Sequence, residues 1–321
     1  MKVLITGASG FTAYHLVKAL REGTEPKELY FSSLSPKKPD YCGNYFSCDL
    51  SQLERVGSLI KMIKPQQIYH LAGTFTNDYV KDYKSNVLSS MNILDSLLHS
   101  RIDSKVLLIG SAAEYGFVNP ADNPIPEDHP LRPVSIYGLT KAHQTQLMSY
   151  YYRVHGLNIA MARTFNLTGK GMSSSLFVGH VYEQIGKYKR REIPRIIVGN
   201  LSNRRDYIHV DEAVKYYKII MACGAAGEIY NVGSGKPIRV DELLDQLLNE
   251  AGLGRDSVEI RDYPIRNKID VAEIYADIRK IKFLEEKYLE IGKHGDGRLC
   301  DGANRPDDAC CLRNTEASET R

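Results

Sequence analysis

The chain of 321 residues is 43% hydrophobic and 25% charged, which supports roughly two folding units and excludes disulfide mini-proteins, disordered chains and collagen-like chains. Lysine and arginine outnumber aspartate and glutamate by 42 to 39, too slight an excess for a dedicated nucleic-acid binder but compatible with a small anionic ligand. No apolar run approaches the roughly 18 residues of a membrane helix. The opening Met1-Lys2-Val3-Leu4-Ile5-Thr6-Gly7 reads as entering a strand directly, so no leader is expected. Cys42, Cys48, Cys223, Cys300, Cys310 and Cys311 have no CxxC spacing, and the histidines have no ligand spacing. The expectation is reduced thiols, no metal, no membrane and a cytoplasmic location.

In chain order, short apolar runs predict strands at Lys2 to Thr6, Glu28 to Ser32, Tyr45 to Cys48, Gln67 to His70, Lys105 to Ile109 and Asn158 to Arg163. Amphipathic stretches between them predict helices from Phe11 to Glu22, Gln52 to Ile63, Asp78 to Ser100 and Val134 to His155. Repeated βα units of this kind build an α/β fold with a doubly wound parallel sheet, expected over residues 1–168. Beyond Asn166 the regularity weakens to a helix from Phe177 to Arg190 and shorter elements as far as Leu284. These suggest a smaller C-terminal substrate domain over 169–290, with part of 205–235 packing back on the first. Residues 291–321 lack an apolar period and are expected to form an irregular tail. The basic run Lys187 to Arg191 suits a solvated helix end.

The segment Thr6-Gly7-Ala8-Ser9-Gly10-Phe11-Thr12-Ala13 follows a strand and opens a helix, the setting of a dinucleotide-binding turn. Gly7 permits the tight turn, and Gly10 lets backbone approach a pyrophosphate. The helix start at Phe11 offers free N–H groups, making Gly7, Ser9, Gly10, Phe11 and Thr12 cofactor candidates. The second strand ends without the carboxylate that would grip the 2′-hydroxyl of NAD. Ser32, Ser33 and Lys37 suit a 2′-phosphate instead, so NADP(H) is the preferred cofactor and NAD(H) the alternative.

Tyr137 and Lys141 lie four apart on a helix, one turn from each other on one face. An ammonium there stabilises a tyrosinate and makes the phenol a usable proton donor or acceptor. Ser111, at the carboxyl end of a strand, is placed to hydrogen-bond a reacting carbonyl.

Several motifs carry a resemblance to the extended short-chain dehydrogenase/reductases that act on nucleotide sugars, over about residues 1–285. They are the phosphate turn, CDL (Cys48 to Leu50), HLAG (His70 to Gly73), Asn86 in KSNVLSSMNIL, GSAAEYG (Gly110 to Gly116), YGLTK (Tyr137 to Lys141), RTFN (Arg163 to Asn166) and YNVGSG (Tyr230 to Gly235). The resemblance implies Asp49 and Leu50 near the adenine, and Leu71, Ala72, Gly73 and Asn86 on the cofactor. It also implies Ser111, Tyr137 and Lys141 as the catalytic trio, with Tyr137 and Lys141 touching the cofactor as well.

RTFNLTGKG (Arg163 to Gly171), FVGHV (Phe177 to Val181) and VGNLSNRRDYIHVDE (Val198 to Glu212) are most similar to the branch of GDP-mannose 4,6-dehydratases and GDP-4-keto-6-deoxymannose reductases. That similarity implies a GDP-sugar substrate held by Ser111, Glu114, Asn166, Val178, Asn200, Arg205 and Arg266; independently, Arg suits bidentate phosphate binding, and Asp206, next in sequence, is expected to orient Arg205. Two departures stand out. Ala113 occupies the position of the dehydratases' acid/base glutamate, which leaves carbonyl reduction as the leading expectation. A dehydratase, a 4-epimerase and a non-catalytic NADP-binding regulator are the alternatives. The tail also lacks the last amphipathic helix of these enzymes. Apolar Val87, Met91, Leu94 and Leu147 on the long helices suggest a homodimer contact.

Overall fold

The computed structural model describes residues 1–23, 27–261 and 271–293. The strands are β1 (Lys2–Thr6), β2 (Glu28–Ser33), β3 (Asn44–Ser47), β4 (Gln67–His70), β5 (Lys105–Ser111), β6 (Ile159–Thr164), β7 (Asn166–Thr168), β8 (Ile196–Val198), β9 (Arg204–His209), β10 (Ile229–Val232), β11 (Pro237–Arg239), β12 (Val258–Ile260) and β13 (Glu273–Ile274). The helices are α1 (Phe11–Arg21), α2 (Leu53–Ile63), α3 (Tyr79–Tyr83), α4 (Ser89–Ser100), α5 (Ile136–His155), α6 (Phe177–Lys189), α7 (Val210–Cys223), α8 (Val240–Glu250) and α9 (Arg279–Lys293). In the first half every predicted strand and helix is present, with ends shifted by one or two residues.

Seven strands form one parallel sheet in the order β10-β6-β5-β4-β1-β2-β3. Side chains alternate between its faces. Val3 and Ile5 join Leu16, Val17, Tyr217 and Ile220 on one side, whereas Leu4, Val106 and Leu108 join Ile60, Leu94 and Met148 on the other. Strands covered on both faces read as continuous apolar runs, and β6 is buried along its whole length. Strand order reverses between β1 and β4, where Thr6 lies beside His70. That switch point opens the crevice in which ligands of such sheets bind.

A separate cluster joins α6 and α8 through Val178, Val181, Ile185, Leu243, Leu244 and Leu247. Beside it, β9 pairs in turn with β11, β13 and β7, tying this part to the large sheet's carboxyl edge.

The structure corrects two expectations. The closing amphipathic helix is present as α9, whose Ile281 and Leu284 enter the core beneath α7. Its apolar period is blurred in the sequence because Phe283 and Leu289 are apolar yet exposed on its outer face. The helix expected from Asp78 to Ser100 is interrupted by a π segment, Lys84–Leu88, which turns Asn86 and Val87 inward. Val87 and Leu94 are therefore core residues rather than an external stripe. Apolar groups exposed on the helices nearby include Tyr79, Val80, Tyr150 and Val154.

Replacing Ile281 with alanine should cost about 2–5 kcal/mol, because a fully buried side chain leaves a cavity. Urea unfolding of Ile281→Ala against the parent checks this, with no change expected if α9 were not part of the fold.

Candidate active site

At the switch point Gly7 has φ +67°, and a Cβ there would lie 2.6 Å from the Ala72 backbone nitrogen. Only glycine lets β1 turn this closely past the segment after β4. Gly10 then precedes α1 without a side-chain cap, and no acidic residue occupies the first turn. The first N–H groups of α1 are left for an anion, so the turn fits the pyrophosphate of a dinucleotide.

At the end of β2, Ser33 Oγ and Ser9 Oγ are 2.7 Å apart, and Lys37 is exposed beyond them. Ser32 does not reach the cleft, contrary to expectation: it is fully buried and its Oγ has no partner among the described residues. Asp49 accepts hydrogen bonds from Ser51 and Gln52, and the Leu50 side chain packs into the core, so this turn has mainly backbone to offer an adenine. Asn86 is likewise committed. Its Oδ1 accepts the Thr74 N–H at 2.9 Å and its Nδ2 donates to Thr74 O and Thr140 Oγ1, which shapes the loop after β4 and corrects the expected cofactor contact.

One cavity of about 680 Å³ brings Ser111, Tyr137 and Lys141 together with Asn166 and Arg205. Phe11, Thr12, Leu71 and Gly73 line it too. Ser111 ends β5, and its Oγ accepts the Ala113 N–H at 3.2 Å. Tyr137 sits in the first turn of α5, where Ser135 caps the helix by accepting the Gly138 N–H at 3.0 Å. Gly138 is obligatory, since a Cβ there would meet Ala113 O at 2.3 Å. That close approach brings Tyr137 within hydrogen-bonding reach of Ser111.

Lys141 Nζ donates to Ile109 O at 2.8 Å and to Gln144 Oε1 at 3.1 Å. Burial draws its pKa down to about 8, opposed by the Glu114 and Asp82 carboxylates. Burial also pushes the Tyr137 phenol up to about 12, opposed by the Ser111 hydrogen bond. The expectation that Lys141 lowers the phenol's pKa is thus outweighed: the ammonium is 6.0 Å from the ring centroid, and desolvation dominates. Tyr137 is set as a proton donor.

Two residues without a sequence motif, Phe75 and Asn77, complete the wall. Phe75 meets the Tyr137 ring edge-on at 5.1 Å, and Asn77 Oδ1 accepts the Tyr137 N–H at 3.5 Å. Buried Asp82 organises their loop by accepting from Thr74, Thr76 and Asn77.

Residues 3–233 match the NAD dependent epimerase/dehydratase family. The chain belongs to this family. A Methanocaldococcus jannaschii protein provisionally named a UDP-glucose 4-epimerase is 28% identical over 289 residues, covering 88% of this chain and 92% of that protein. The GDP-6-deoxy-D-mannose reductase of Pseudomonas aeruginosa is 28% identical over 271 residues, covering 83% and 84%. The structure of RMD from Pseudomonas aeruginosa complexed with NADPH superposes with a TM-score of 0.75 at 25% identity, covering 88% and 91%. The chain is accordingly a nicotinamide-dependent epimerase/dehydratase-family enzyme of extended short-chain dehydrogenase/reductase fold. No helix among the described residues is long and apolar enough to cross a membrane.

Other expected substrate residues of this family enzyme lie elsewhere. Glu114 is fully buried behind the trio and bonded to Ser111 N, Thr145 and Arg163, so it does not face the cavity. Val178 packs into the α6–α8 cluster, and exposed Asn200 is bonded to Ser202 outside the cavity wall. Asp206 does not orient Arg205. Successive strand residues point to opposite faces, and its carboxylate accepts from Ser234, Gly235 and Ala276 instead. Arg266 lies outside the described residues.

Tyr137→Phe removes the phenolic hydroxyl bonded to Ser111 and should lower turnover by about 10²–10⁴-fold while the protein still binds its nicotinamide cofactor. Steady-state kinetics and fluorescence titration of the same preparation check both parts.

Proposed function

We propose that the enzyme uses NADPH to reduce the 4-keto group of a GDP-linked 6-deoxyhexulose. The observation that carries this is the chemistry of the cavity wall. Among the described residues lining it there is no carboxylate, imidazole or thiol, and Ala113 contributes only a methyl. Elimination of water across a sugar's C5–C6 bond needs a second proton-transfer group. Carbonyl reduction needs none beyond Tyr137. The Pseudomonas reductase relative supports the substrate class, and the NADPH complex supports the cofactor, together with Ser9, Ser33, Lys37 and the absence of an acid at the end of β2.

Reduced nicotinamide, when bound, supplies the hydride. Ser111 donates a hydrogen bond to the carbonyl oxygen, and Tyr137 delivers its phenolic proton as negative charge develops there. Lys141 contributes positive charge beside the phenol and helps hold the cofactor's ribose. Asn166 and Arg205 bind the substrate's pyrophosphate, where a guanidinium suits phosphate geometry. A 4-epimerase shares all of these groups, and the Methanocaldococcus relative favours it as the second reading. We also propose a homodimer through the apolar side chains exposed on α3 and α5, Tyr79, Val80, Tyr150 and Val154.

Mixing the purified enzyme with GDP-4-keto-6-deoxymannose should oxidise NADPH stoichiometrically and faster than NADH. GDP-mannose should give no 4-keto product. Interconversion of C4 epimers without net NADPH loss would establish the epimerase instead. Turnover should fall as pH rises through about 8, because Lys141 loses its charge there; a profile from pH 6 to 10 measures it. Lys37→Ala should weaken NADPH but not NADH binding, measured by fluorescence titration.

A further inference from the structure

Lys141 is almost completely buried, yet its hydrogen-bond acceptors are neutral: a backbone carbonyl on β5 and the Gln144 amide on α5. A buried ammonium supported only by dipoles gives up its proton readily. Its negative neighbours come from two other elements. Asp82 projects from α3 and is occupied with the 74–77 loop. Glu114 belongs to the turn after β5. Its Oε1 accepts the Ser111 N–H at 2.7 Å, and its Oε2 accepts from Thr145 Oγ1 at 2.6 Å, one helical turn beyond Lys141.

The carboxylate is therefore wedged between the strand end and the helix that carry the trio. A Cβ on Gly110 would lie 2.6 Å from Glu114 Oε1, so glycine is what lets the carboxylate in. On its far side Arg163 Nε donates to it at 3.0 Å and fixes its position. The other ionisable groups around Lys141 are Tyr137 on α5 and His70 on β4; burial pulls His70 down to about 3, so it is neutral.

We propose that Glu114, walled off from the cavity, is the positioning residue that keeps Lys141 in its ammonium form. It touches neither substrate nor cofactor. Its carboxylate sets the charge beside Tyr137 from behind the strand end, and Arg163 holds it there. The catalytic value of this role rests on the assignment of Tyr137 and Lys141 as the proton-handling pair, whereas the protonation of Lys141 is measurable without any substrate.

The test is competitive acetylation of the whole protein with isotopically labelled acetic anhydride between pH 6 and 11, with lysine reactivities resolved by mass spectrometry. In the parent protein Lys141 should reach half-maximal reactivity near pH 8, against about 10.4 for an ordinary lysine. In Glu114→Gln that midpoint should fall by about one pH unit. Since this variant leaves the Arg163 guanidinium buried without its partner, Glu114→Gln combined with Arg163→Met is measured in parallel, with a fall of the same sign expected. In a folded variant, judged by near-ultraviolet circular dichroism, the alkaline limb of kcat should move with the labelling midpoint while the KM for NADPH at pH 6 stays unchanged. A Lys141 midpoint that stays in place or rises in the folded variants overturns the proposal. A lowered midpoint in a protein inactive on every keto sugar would uphold it and sink the reductase assignment alone.

Discussion

Placing an arginine within a strand that is buried along its whole length obliges the surrounding chain to supply partners for a guanidinium that water does not reach. Arg163 in β6 meets that demand through Glu114, the Tyr115 hydroxyl and the Glu127 carbonyl, and it stacks over the Tyr115 ring. The demand then propagates. Tyr115 donates to Asn231 Oδ1 on β10, Asn231 Nδ2 donates to Ile125 O, and Glu127 Oε1 accepts the Asn231 N–H. One buried cation thus fixes the turn after β5, the 125–127 segment and the sheet's edge strand relative to one another.

Magnitudes show where this rigidity resides. Removing one partner of a buried pair costs about 3–5 kcal/mol, whereas an exposed pair such as Arg190–Glu192 contributes about 0–1 kcal/mol. The exposed ion pairs scattered over the surface therefore matter less to the site than Arg163–Glu114. Asp82 works similarly on the opposite wall, gathering backbone and hydroxyl donors of the 74–77 loop around one buried carboxylate. Tyr137 stands between two loops, each held by a buried acid, which lets a static geometry favour a developing charge.

The sheet was legible because its strands are short apolar runs separated by amphipathic helices, and a period of 2 or 3.6 survives in the sequence itself. Gly7, Ser111, Tyr137 and Lys141 were legible because each stands at a fixed distance from an element end. The second half resisted for the opposite reason: β7, β8, β11, β12 and β13 are two or three residues long, too short to show any period. The buried acids resisted as well. Glu114 and Asp82 look like surface carboxylates, and what makes them structural is the set of donors that the fold brings to them from distant segments. Ser32 and Asp206 failed from alternation, since a side chain adjacent in sequence to a site residue on a strand points away from it.

The sheet order also bears on synthesis. β6 pairs with β5 on one side and with β10 on the other, and β10 follows α6, α7 and three strands of the smaller sheets along the chain. A nascent chain that has completed β6 must wait with an open, largely apolar strand edge, the feature most prone to pairing with a neighbouring chain. An inward-pointing charge in such a strand discourages intermolecular stacking, because a second chain would have to bury it without its own acceptors. The arginine that anchors the region behind the active site is a charge of this kind, carried by the strand whose edge stays open until β10 is made.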